Sequence, residues 1–195
     1  MAKDPRADEL LDYWFGPKGG PEWGKLRKLW FGGGPAVDEE CRTRFGDLHV
    51  QADAGDLEGW RDTPEDCLAL VILLDQFSRN LHRGTWKAFA SDAKALALAR
   101  HAIEKGWDQQ FEPVQRWFLY LPFEHAEDLR AQHRALELFS ALPDDDNRKI
   151  AVDYAQKHLD VIAKFGRFPH RNEMLGRPST PEETKYLAEG GARFG

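Results

Sequence analysis

The sequence predicts an all-α fold, and three observations carry that reading. Two segments, Thr63-Pro64-Glu65-Asp66 and Thr180-Pro181-Glu182-Glu183, join a capping threonine to a proline at the first helical position and acids in the first turn. Between the breaks, apolar residues recur three and four apart, as one face of a helix requires. No rhythm of alternating strands and tight turns occurs anywhere in the 195 residues. Helix pairs joined by short connections point to antiparallel packing in a solenoid-like or bundle arrangement.

Taken in order, residues 7–15 read as a short amphipathic helix with Leu10, Leu11, Trp14 and Phe15 on one side. GPKGGPEW and FGGGPA then break the chain. The Gly/Pro-rich region 16–36 is expected as a loop, mobile or lid-like, in which WGKLRKLWF forms a turn of helix or a packed segment. The next helix runs from Asp38 to about Ala54, interrupted or bent near Gly46. After the Thr63 cap, CLALVILLDQF is apolar on every face, which favours a buried central helix. Residues 86–105 form an Ala/Leu-rich helix, and Pro113 starts another that reaches 121. Pro122 is expected to kink or break the path, because proline lacks the N–H donor and disfavours helix in the residue before it. Helix resumes from Phe123 to Leu142, again from about 145 to 165, and finally from Thr180 to about Ala188. No 34-residue repeat is visible; FSRN at 77–80 and FPHRN at 168–172 are a faint echo.

A chain of this length, 42% hydrophobic and 31% charged, is expected to form a single helical domain over 1–195. Its net charge of −6 argues against a nucleic-acid partner. The longest apolar run, Cys67 to Leu74, is far short of the roughly 20 residues of a membrane span. Two cysteines without metal-type spacing and a charged N-terminal segment lead to the expectation of a cytoplasmic protein. HExxH, Glu-x-x-His, Walker, GxGxxG and GxSxG motifs are all missing, so neither metal nor cofactor is expected.

Three polar clusters carry the functional expectation. In DQFSRN, Asp75 and Arg79 stand four apart on one helix face, as do Gln76 and Asn80, with Arg83 just beyond. In EHAED, Glu124 and Asp128 are expected as neighbours near a helix N-terminus, where acids meet a favourable macrodipole; His125 is the better candidate for chemistry. The ordered basic loop 165–180 gathers Arg167, His170, Arg171 and Asn172 around Pro169. LLDQFSRNLHRGT, LPFEHAEDL and FGRFPHRNEMLGRPSTPEE, with DYWFG and ALVILLDQ, resemble the signature blocks of the bacterial domain-of-unknown-function family nine-two-four, from about residue 8 to 188. One departure is Ala126, where that family's pattern leads one to expect Ser. The resemblance implies a tetratricopeptide-like helical fold and no particular activity.

Three functions fit these clusters. In the first, Arg79, Arg167 and Arg171 hold a small anionic molecule or an acidic peptide. In the second, an enzyme of hydrolase or lyase type uses Asp75 or Glu124 as base, with His125 or His170 as acid or base. In the third, the clusters lock the helices together and the domain serves as a scaffold.

Overall fold

The computed structural model describes residues 4–143 and 145–194, with the backbone alone for Phe31 and Gly32. All regular structure among the described residues is helical. The first helix, α1 (Pro5–Phe15), is capped by Asp4, whose carboxylate accepts the Arg6 N–H, and it buries Leu10, Leu11, Trp14 and Phe15. A single turn, α2 (Lys28–Gly32), follows. It is a packed segment: the Trp30 indole N–H donates to the Trp14 carbonyl at 2.9 Å, and Arg27 donates to the carbonyls of Tyr13 and Trp14. Helix α3 (Gly34–Ala54) starts four residues earlier than Asp38 and runs unbroken through Gly46.

Helix α4 (Pro64–Ile72) begins at the Thr63 cap and is buried from Asp66 onward. It does not continue regularly. Leu73–Phe77 form a π-helical turn before α5 (Ser78–Leu81). A 3₁₀ turn at Trp86–Phe89 replaces the first turn of the expected helix from 86, and α6 spans Asp92–Glu104.

Helix α7 (Pro113–His125) corrects the expected break at Pro122, which lies inside it. The balance of energies explains this. An interior proline costs about 3 kcal/mol, whereas Phe118, Leu119, Tyr120, Leu121 and Phe123 are all buried here, each contributing roughly 1.5–3 kcal/mol. The true break is at 126–128, where Asp128 accepts the Ala131 N–H at 2.8 Å and starts α8 (Leu129–Ser140). Glu124 and His125 therefore close α7 instead of opening the next helix. The macrodipole at that end disfavours a carboxylate, the reverse of the sequence expectation.

Helix α9 (Asp146–Phe165) ends at Gly166, whose φ of +69° is the left-handed conformation that suits glycine. The basic loop makes a 3₁₀ turn at Pro169–Arg171, and α10 (Pro181–Ala188) follows. The main core centres on Trp14, Phe15, Phe77, Phe118 and Trp30, with the Trp30 and Phe118 rings 4.7 Å apart. A second, small core under the loop joins Val161, Ile162 and Phe168 to Tyr186 and Phe194. The capping box of α10 is complete, with Thr180 Oγ1 accepting the Glu183 N–H and Glu183 Oε2 accepting the Thr180 N–H. Thr180→Ala should lower the unfolding free energy by about 1 kcal/mol in denaturant titrations.

Candidate functional site

Asp75 lies on the π turn, at the end of the apolar α4, and its side chain is 0% exposed. Such turns recur at functional positions because the extra residue re-aims side chains that a regular helix would direct elsewhere. Asp75 Oδ1 is 2.7 Å from His125 Nδ1 and 3.2 Å from Arg79 Nη1, while Oδ2 accepts from Gln76 at 2.6 Å. Arg79 also forks onto both oxygens of Asp92 at 2.9 and 3.2 Å. Arg171 completes the chain, donating to Asp92 Oδ2 at 3.3 Å and to the His125 carbonyl at 3.1 Å. Its guanidinium is sandwiched between Phe89 and Phe168, 4.5 and 4.4 Å from their ring centroids.

Electrostatics follow from this enclosure. Burial raises the Asp75 carboxyl, but Arg79 and His125 outweigh it and hold Asp75 well below the usual carboxylate range. Burial, then the Arg79 charge, lower the His125 imidazolium, against the opposing pull of Asp75. Burial and Arg79 bring Arg171 down to about 10. His125 is thus a neutral imidazole whose Nδ1–H faces a fixed carboxylate. Nε2 is the nitrogen left to take a proton, as in other carboxylate-oriented histidines.

A second group of buried polar atoms lies beside the first. Glu124 is 3% exposed. Its Oε1 is 3.2 Å from His158 Nδ1, and its Oε2 has no partner among the described residues. Burial, reinforced by Asp75, pushes the Glu124 carboxyl up to about 8. His158 donates from Nδ1 to the Tyr154 carbonyl at 2.8 Å, leaving Nε2 without a partner among the described residues. Its ring stacks on Phe194 at 3.5 Å and meets the Phe168 edge at 5.6 Å. Burial brings His158 down to about 2, and burial with Arg171 brings His170 down to about 4. The His125 and His158 rings are 6.3 Å apart, and His170 packs on Phe168 and Phe194.

Of the sequence candidates, Asp75, Gln76, Arg79, Glu124, His125, His170 and Arg171 fall in this region. The others lie apart from it. Asn80 and Arg83 bind Asp38 of α3, at 2.7 Å in each case. Asp128 caps α8 and is not a helical neighbour of Glu124. Arg167 forks onto Glu183 at 2.6 and 2.8 Å, and Asn172 donates to Glu183 and Ser179. Arg177 links Asn172 to Glu127, which also accepts the Phe168 N–H at 2.7 Å.

Sequence reasoning missed Asp92, Glu127, His158, Glu183 and Phe194 as partners. Glu127 and Glu183 stand inside the quoted motifs, whereas nothing local marks Asp92 or His158. His49 Nε2 and Ser78 Oγ, 2.8 Å apart, do not form a nucleophile–base pair. The Ser78 proton is already donated to the Leu74 carbonyl at 2.7 Å, so His49 is the donor between them. No group of three or more metal-type ligands occurs among the described residues. Cavities of about 70 and about 440 Å³ are present, and neither borders Asp75, His125 or Glu124. No helix among the described residues is long and apolar enough to cross a membrane.

Comparison with known proteins agrees with the fold. A solved structure of a protein of unknown function from Agrobacterium tumefaciens is similar, at 42% identity and a TM-score of 0.82, over 94% of this chain and 97% of that one. No curated protein matches. Residues 10–191 match the family model described as "Bacterial protein of unknown function (DUF924)". That span takes in every motif discussed above, and the chain belongs to the DUF924 family.

Proposed function

We propose that the domain is an acid–base enzyme acting on a small, uncharged molecule, with His125 as base and Glu124 as acid. The observation that carries this reading is the adjacency of two oppositely prepared groups. His125 is held neutral and oriented by buried Asp75, while Glu124 keeps its proton near neutral pH and has an uncommitted Oε2. Titratable pairs pushed apart in this way suit proton abstraction coupled to proton donation. Phe194 stacks on His158, whose Nδ1 is 3.2 Å from Glu124 Oε1.

Charge balance favours this reading over an anion bound by the interior arginines. Asp75 and Asp92 neutralise Arg79 and Arg171. Arg83, Arg167 and Arg177 face Asp38, Glu183 and Glu127. An anion there would have to displace a carboxylate. We infer a second role for the loop 165–180, supported by the Arg167–Glu183 and Arg177–Glu127 pairs: it fastens α10 to the end of α7.

The test is α-proton exchange of small ketones and aldehydes in D₂O, followed by NMR. Deuteration that depends on the protein should fall by about 10²–10⁴-fold in His125→Asn and in Glu124→Gln. Exchange unchanged in both variants would overturn the assignment.

A further inference from the structure

The cavity of about 440 Å³ lies between α6 and α8, away from the acid–base cluster, with the buried Phe123 of α7 in its wall. Arg100 of α6 borders it, as do Arg130 and Arg134 of α8. We propose that this groove binds a small molecule carrying carboxylate or phosphate groups on an apolar body.

The charge pattern carries the proposal. The chain bears a net −6, and Arg79, Arg83, Arg167, Arg171 and Arg177 are each paired with a carboxylate. At this groove the pattern is reversed. Arg130 and Arg134 stand four apart on one helix, a like-charge spacing that destabilises a helix slightly, and Arg100 adds a third guanidinium. Among the described residues, neither Arg100 nor Arg130 has an ion-pair partner; Arg134 has only the exposed Glu137, at 2.9 Å. The acids in the wall do not cancel the three cations. Asp128 and Glu104 supply two negative charges against three positive ones, so the wall keeps a net positive charge; Asp128 also accepts the Ala131 N–H as the cap of α8. A guanidinium fork recognises carboxylate or phosphate with paired hydrogen bonds. The Arg100 guanidinium lies 5.9 Å from the Phe123 ring centroid, so cationic and apolar surfaces adjoin. The volume suits a ligand of metabolite size.

Calorimetric titration of the full chain with inorganic pyrophosphate, and separately with citrate, tests the proposal at low ionic strength. Either probe should bind, and Arg100→Gln or Arg130→Gln should each weaken binding by about tenfold. Both positions are exposed, so melting temperatures of the variants should stay near that of the wild type. Binding of pyrophosphate alone marks a phosphate ligand, and of citrate alone a carboxylate ligand; both support the site. The absence of heat from both probes up to about 10 mM, or binding that both variants leave intact, would overturn it.

Discussion

Asp75→Ala should lower the unfolding free energy by about 3–5 kcal/mol, the cost of removing one partner from a buried charge network. The residue is fully buried and serves three groups at once: Arg79, His125 and Gln76. In the variant, Gln76 loses its acceptor and His125 its orienting carboxylate. Arg79 keeps Asp92 but must balance its charge from one side. Urea titration at pH 7 measures the effect. An exposed pair such as Lys149–Asp146, 2.9 Å apart, provides the contrast; removing that lysine should change stability little, because solvent screens the attraction. A loss at Asp75 no larger than at Lys149 would show that the network does not hold the helices together.

The second large effect is a change in pH dependence. Glu124 has an ordinary value of 4.5 and titrates in the folded protein at about 8. Between those values the native state holds a proton that the unfolded chain releases, so stability falls as pH rises through this window. The slope from this one group is about 1.4 kcal/mol per pH unit. The buried histidines work in the opposite sense. His158 and His170 are lowered to about 2 and about 4, from 6.5. Their contribution is present above 6.5 and is lost as pH falls, because the unfolded chain then takes up protons that the native state refuses. Wild type should therefore be most stable near neutrality. Glu124→Gln keeps the shape without the ionisable proton, so it should abolish the alkaline decline and leave the acid limb intact. At pH 9 the variant should be more stable than wild type by an amount on the order of a few kcal/mol. Melting curves from pH 5 to 9 check this, and parallel alkaline limbs would refute it.

Much of this was legible in the sequence, for identifiable reasons. The helix starts at Thr63 and Thr180 were clear because cap, proline and first-turn acids are local signals. The Asp75–Arg79 pair followed from four-residue spacing. Pro122 misled because local propensity opposed tertiary burial, and burial won. The π turn was invisible, since one extra residue per turn leaves no compositional mark. The basic loop displayed its arginines, but the carboxylates that neutralise them come from positions as far away as Asp92, on another element. The uncommitted Glu124 oxygen could not be read from EHAED, because it depends on α9 bringing His158 alongside.

The central claim is that Glu124, next in sequence to the Asp75-oriented His125, keeps its proton near neutral pH. The most direct measurement is a ¹³C NMR titration of the glutamate carboxyl groups, with Glu124 assigned by its absence from the Glu124→Gln spectrum. The geometry predicts one resonance that remains protonated at pH 7 and titrates at about 8. A Glu124 carboxyl that ionises near the ordinary value of 4.5 would contradict the account.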